Sequence, residues 1–253
     1  SALEHLDFSD NLSNSAESQA LAQALTNCSR LTFLNLSSNR VRNDGIREFA
    51  SLLSQCPLTH LDLSNNALGL TGEQHLPGVL PATGQLVLAD ILGTLSSLTH
   101  LNLRSNSLGP TGGASVAHSI IRCPRLLHLD LGCNNFGPSV ALGSLAVSLA
   151  QCRSLQVLSL KGLNFGAQGT GSIARALSHC SELRELDLSS NRIGVEGAGR
   201  LTELLEACTK LETIDLSWNC IDSEGVRRFA PGLQQTSALH TLALTDNNIG
   251  TAG

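Results

Sequence analysis

The sequence contains no methionine or tyrosine, one tryptophan and six phenylalanines, so aromatics make up only 3% of its 253 residues. A compact domain ordinarily spends more aromatic surface on its core. The deficit points to a core built from many copies of one aliphatic slot. Cations are also scarce: 16 Lys plus Arg face 21 Asp plus Glu, for a net charge of -5. Nucleic-acid binding through phosphate contacts needs a basic face, so direct nucleic-acid recognition is not expected. No apolar run approaches the ~20 residues of a membrane helix, and the opening residues Ser1 to His5 lack the charged-then-apolar profile of a secretion signal. Also missing are a C-x-x-C pair, H-E-x-x-H, G-x-S-x-G and a phosphate loop. These absences predict a binding protein and not an enzyme, with no metal, no cofactor and no small-molecule ligand.

What is abundant is leucine, and it is in register. The string L-x-x-L-x-L-x-x-N recurs, as in Leu31-Leu34-Leu36-Asn39, Leu98-Leu101-Leu103-Asn106 and Leu183-Leu186-Leu188-Asn191. In nine copies the first leucines, with Leu3 leading, fall 28, 27, 40, 28, 29, 28, 28 and 28 residues apart. One copy, Leu155-Leu158-Leu160, has Leu163 where Asn is expected, which predicts a break in the asparagine row and a looser turn there. L-x-L alternation is a short strand with one face buried. A glycine recurs nine residues after the third leucine, often behind an acid, as in Asp44-Gly45, Glu196-Gly197 and Glu224-Gly225. Acids there suit the positive end of a helix, and the following segment has helical spacing. One strand-loop-helix-loop unit cannot bury its apolar face alone, whereas stacked neighbours can. Helices need more room than strands ~4.8 Å apart, so the stack must curve. The predicted fold is an α/β horseshoe, a right-handed solenoid of nine repeats with a parallel sheet on the concave face and helices on the convex face.

Cysteine repeats at the same period. Cys28, Cys123, Cys152, Cys180 and Cys208 lie three residues before the first leucine of a repeat and Cys56 two before, as expected of a small buried slot and not of a disulfide framework. Buried thiols suit a reducing compartment, so an intracellular location, nuclear or cytoplasmic, is expected. Glycosylation triplets occur at Asn11, Asn27 and Asn35, two of them within the strand motif itself, and read as coincidence. Gly169-Thr170-Gly171-Ser172 mimics a dinucleotide fingerprint, but Gly169 is this repeat's copy of the recurring glycine and no 30-residue βαβ unit with its distal ribose acid stands out.

The repeat resembles the ribonuclease-inhibitor type of leucine-rich repeat over essentially the whole chain. Relatives of that type include the sensing ends of NOD-like immune receptors and the activator of the Ran GTPase. The resemblance implies a protein partner on the concave face or rim. Two irregularities resemble the C-terminal repeats of Tonsoku-like proteins, nuclear scaffolds of replication-fork repair. One is the enlarged repeat from Leu58, with an insertion at 71–85 around Leu76-Pro77-Gly78; the other is the Asn135-Phe136-Gly137-Pro138-Ser139 loop. That resemblance implies a DNA-repair scaffold. Residues 1–253 are expected to form one domain of a larger protein, because neither end carries the polar cap a solenoid normally has.

On the inner sheet, residues between leucines face solvent. His60, His100 and His128 then stand on successive strands beside a row of Asp and Asn. They suit either a metal or pH-sensitive contact, or ordinary filling with each His paired to an Asp. Interface hot spots favour Trp and Arg. Trp218 falls in an exposed slot before Asn219, Phe33 faces the concave side, and Arg104 and Lys161 share a rim position. Trp218 suits a partner contact or packing against a neighbouring loop. Glu185 and Glu212 add negative charge nearby, and the insertion suits function or tolerated drift.

Overall fold

The computed structural model describes residues 2–12, 14–69, 83–137, 140–251 and 253. Its strands are three residues each: β1 His5–Asp7, β2 Phe33–Asn35, β3 His60–Asp62, β4 His100–Asn102, β5 His128–Asp130, β6 Val157–Ser159, β7 Glu185–Asp187, β8 Thr213–Asp215 and β9 Thr241–Ala243. Between them lie α1 Ser15–Leu25, α2 Arg42–Gln55, α3 Thr83–Leu92, α4 Gly109–Ile120, α5 Val140–Leu149, α6 Gly166–Leu177, α7 Gly194–Ala207 and α8 Ser223–Leu233. All nine strands form one sheet in sequence order, each parallel to the next. Each helix packs on the helix of the following coil. This is the expected horseshoe. Most of the 71–85 insertion lies outside the described residues; its last part, from Thr83, is helical. Among the described residues no helix is long and apolar enough to cross a membrane.

Register explains why the leucines repeat. The central residues Leu34, Leu61, Leu101, Leu129, Leu158, Leu186 and Ile214 sit opposite one another on successive strands and are all buried. Each removes about 1.5–3 kcal/mol worth of apolar surface from water, but only because a coil stands on both sides. The end-strand residues Leu6 and Leu242 are only partly buried.

The recurring glycine does not open its helix. The α7 and α8 helices begin earlier, at Gly194 and Ser223, which places Glu196 and Glu224 in the first turn. Space is what requires the glycine. A Cβ on Gly197 would stand 2.7 Å from Ile193 Cγ2 and 3.2 Å from Ala167 Cα in the preceding coil. A side chain there would wedge the coils apart.

The recurring asparagine joins coils. Asn191 donates from Nδ2 to the carbonyls of Leu160, Leu188 and Ser189, and its own N–H donates to Asn219 Oδ1 at 2.8 Å. Asn66, Asn106, Asn134, Asn219 and Asn247 repeat the pattern from Nδ2. At Leu163 the side-chain row is interrupted, yet the expected loose turn is absent. Leu163 is fully buried. Gly162 and Gly166 donate to Ser189 and Asn191 carbonyls at 2.9 Å, and the positive φ values at 162, 164 and 166 match those of the other turns. Neighbouring groups take over: Asn164 N–H reaches Asn191 Oδ1 at 2.9 Å. Backbone pairing between coils is sufficient to hold this turn without its own asparagine.

The period-matched cysteines are buried free thiols. The Cys180 and Cys208 thiols donate to the Leu149 and Leu177 carbonyls at 3.3 Å. These are the last turns of α5 and α6, where helix carbonyls lack intrahelical partners. Burial pushes the Cys180 thiol up to about 12 and the Cys208 thiol up to about 11.

Candidate functional site: the concave sheet

The first residue of each strand projects from the concave face, and the register sets these side chains beside one another. His5, Phe33, His60, His100 and His128 are consecutive partners in the pairing. Their rings form a continuous row. The His5–Phe33 centroids are 3.8 Å apart, Phe33–His60 5.8 Å, His60–His100 3.9 Å and His100–His128 4.1 Å, with all but the second pair stacked. From Phe33 to His128 the row lines a groove across β2 to β6 together with Asp62, Asn102, Asp130 and Val157.

The pairing of each histidine with an aspartate, one of the two expectations, is not what forms. At His60 and His100 the residue before the strand holds the ring instead. Thr59 Oγ1 lies 2.9 Å from His60 Nδ1 and donates to the Thr32 carbonyl at 3.1 Å. Thr99 Oγ1 lies 2.8 Å from His100 Nδ1 and donates to the Thr59 carbonyl at 2.9 Å. A hydroxyl has one hydrogen, so in both pairs Nδ1–H donates to the threonine and Nε2 is a bare acceptor; the tautomer is assigned from this bonding. The Thr-His dipeptides at 59–60 and 99–100 are the sequence signal for the arrangement. Burial, followed by the charges of His128 and His60, holds His100 down to about 4. His60 is lowered by burial, then by His128 and His5. Both rings are therefore neutral near pH 7. Among the described residues no group of three His, Cys, Asp or Glu is placed to hold a metal ion.

The Asp and Asn row at the strand ends shapes the turns. Asp62 Oδ1 accepts from Ser64 N–H at 2.8 Å and Asp130 Oδ1 from Gly132 N–H at 2.7 Å; Asn35 and Asn102 do the same for Ser37 and Arg104. An amide oxygen serves as well as a carboxylate here. Burial raises the Asp130 carboxyl above its usual range despite the Gly132 N–H and the Arg104 guanidinium, which stands 3.9 Å away.

The remaining candidates separate. Arg104 and Lys161 both follow a third leucine, at the rim. Glu185 is exposed at the start of β7. Glu212 bonds Arg184, and Lys210 bonds Glu182 at 2.7 Å; both pairs are 28 residues apart and link adjacent coils. Exposed pairs of this kind add little to stability, because solvent screens them. Trp218 is 60% exposed, so its ring is not packed away against a loop. It has φ of +60°, and the equivalent residue of every other coil is Asp, Ser, Asn, Cys or Gly with φ between +56° and +63°, apart from Asn65 at +55°. Left-handed backbone costs a bulky L-residue about 1–2 kcal/mol. Most of the tryptophan stays in solvent, so burial gives the fold little in return.

The sequence matches the family model described as Leucine Rich repeat at residues 27–50, 54–72, 94–117, 122–139, 179–201 and 207–230, which together span more than half of the chain. Comparison with curated protein sequences found no match. Among solved structures, a chain from the crystal structure of the yeast Rad7 and Elc1 complex is similar over 99% of this chain, with a TM-score of 0.59 and 16% identity. The present chain covers 65% of that one. The plant peptide hormone receptor RGFR1, solved with RGF2, is similar over 87% of this chain and 33% of its own, at a TM-score of 0.47 and 20% identity.

Proposed function

The chain belongs to the leucine-rich-repeat family, and from that premise we propose that it is a recognition scaffold that binds a protein partner through the concave sheet and its rim. The observation that carries the reading is Trp218, a large aromatic held exposed in a left-handed turn that eight other coils fill with small or polar residues. A preformed sheet needs little ordering on binding, which lowers the entropic cost of association. The similar yeast chain was itself solved in complex with another protein. Within this reading, a genome-maintenance scaffold of the Tonsoku-like kind is the role we favour. The enlarged repeat, whose leucines are 40 residues apart, and the Phe136-Gly137-Pro138-Ser139 stretch two repeats later support it; Pro138 and Ser139 lie outside the described residues.

Photocrosslinking in cells tests the scaffold reading. A crosslinking residue at exposed Glu185 is expected to capture a defined protein, and one at exposed Glu203 on α7 is not. Trp218→Ala is then expected to weaken that partner by ~2 kcal/mol, about 30-fold, with unfolding unchanged. Capture only from the helical side, or unchanged affinity for the Trp218 variant, refutes the reading. A captured partner without a role at replication forks refutes the Tonsoku-like refinement alone.

A further inference from the structure

Charge on the strands of the concave face has one sign. The nine strands contain six carboxylates, on Asp7, Asp62, Asp130, Glu185, Asp187 and Asp215, and no lysine or arginine. The whole chain, by contrast, carries 16 cations against 21 acids. Using one oxygen to hold a turn does not discharge a carboxylate. Asp187 and Asp215 each spend Oδ1 on a turn N–H at 2.8 Å and, with Glu185, form no ion pair among the described residues. In the middle of the face, the bare Nε2 atoms of His60 and His100 add neutral acceptors beside Asp62 and Asp130. The strands thus offer acceptors and negative potential but no cation of their own; Arg104, at the rim, stands 3.9 Å from Asp130 and offsets part of its charge.

We propose that the concave sheet docks a lysine- and arginine-rich segment of the protein partner, seated across β3 to β5, where Asp62, Asp130 and the Nε2 atoms of His60 and His100 receive its N–H donors. The proposal rests on the recognition role argued above and specifies the chemistry of the partner. Complementary potential speeds encounter and suppresses wrong partners. An acidic segment would meet like charge on every strand that carries one. A nucleic acid would find no side-chain cation on the strands to neutralise its phosphates.

The chain supplies its own conservative substitutions for a test. Asn occupies the turn-holding slot at 35 and 102, so Asp62→Asn and Asp130→Asn keep the turn bond and remove the charge, at Asp62 together with the bond its Oδ2 accepts from Asn102 Nδ2 at 2.8 Å. His60→Phe and His100→Phe keep a ring in the row, as Phe33 does, and remove the acceptor. The probe is a fluorescent peptide of alternating arginine and serine, with alternating glutamate and serine as its counterpart, titrated by anisotropy against the whole chain. The arginine peptide is expected to bind and the glutamate peptide not to bind. Asp62→Asn with Asp130→Asn is expected to weaken binding ~10-fold or more, and the paired His variants several-fold. Glu203→Gln with Glu206→Gln on the helical side should leave it unchanged. Raising salt well above 0.15 M, where the Debye length falls below ~8 Å, should weaken binding further. Nitrogen-15 spectra should show Nε2 unprotonated in His60 and His100. Equal binding of both peptides, no binding of the arginine peptide, loss of binding from the helical-side variants, or indifference to the Asp62 and Asp130 changes overturns the proposal. If Glu185 still crosslinks a partner while the arginine peptide fails, the partner chemistry is wrong and the scaffold reading stands. If crosslinks arise only from the helical side, the scaffold reading fails as well.

Discussion

Replacing Asn219 by alanine would remove five hydrogen bonds at once, and the structure separates those that matter. The side chain is fully buried. Nδ2 donates to the Leu188, Leu216 and Ser217 carbonyls at 2.9, 2.9 and 3.2 Å. Each of these carbonyls keeps another donor in the variant: Asn191 Nδ2, Asn247 Nδ2 and Ser190 N–H respectively. Oδ1 accepts from the Asn191 and Ile193 N–H groups at 2.8 and 3.4 Å, and these two buried donors are left without a replacement. At about 1–3 kcal/mol for a buried group stripped of its partner, and with the longer bond contributing less, the expected loss is about 3 kcal/mol. Because stability in a repeat stack is summed from neighbouring interfaces, the loss should concentrate in the last coils. Urea unfolding followed by the single tryptophan, Trp218, should therefore move to lower denaturant before the helical circular dichroism does, and amides of α8 should exchange faster than those of α2. Thr245→Ala, an exposed change in the adjacent coil, serves as the control. A shift below about 0.5 kcal/mol for Asn219→Ala, or one spread evenly along the chain, would show that the asparagine row is not what couples these coils.

Two further outcomes follow from titration and burial. His100 is held down to about 4, chiefly by burial, so between its ordinary value of 6.5 and about 4 the unfolded chain takes up a proton that the folded chain refuses. Stability from this group is present above 6.5 and drains as pH falls through that window; His100→Gln should flatten the decline in urea midpoint. The raised Asp130 carboxyl works in the opposite direction, which is why the difference between variant and parent, and not the parent profile, is the measurement. A parallel profile in the variant would contradict the burial argument. Among the cysteines, Cys133 and Cys220 are exposed and six are buried, with the Cys123, Cys152, Cys180 and Cys208 thiols pushed up to about 11 or 12 by burial. Mass spectrometry after alkylation near neutral pH should find Cys133 and Cys220 labelled first and the other six only on unfolding. Early labelling of Cys180 would refute its place behind the sheet.

The period of the leucines, by itself, settled the coil, the parallel sheet and which residues face outward, because a 28-residue repeat leaves each coil only one way to cover its apolar side. It also placed Phe33 and the three central histidines on the concave side of the sheet and Trp218 in an exposed slot of the turn. Three things depended on the stack itself. The regular turn at Leu163 relies on backbone groups of the neighbouring coils, which no single repeat contains. The ring row and the orientation of His60 and His100 depend on register and on threonines bonding to carbonyls 27 and 40 residues earlier. The strain at Trp218 is a backbone angle, visible only when the same turn is seen repeated in every coil. Composition and spacing act within one coil, whereas contacts between coils exist only after the coils have stacked.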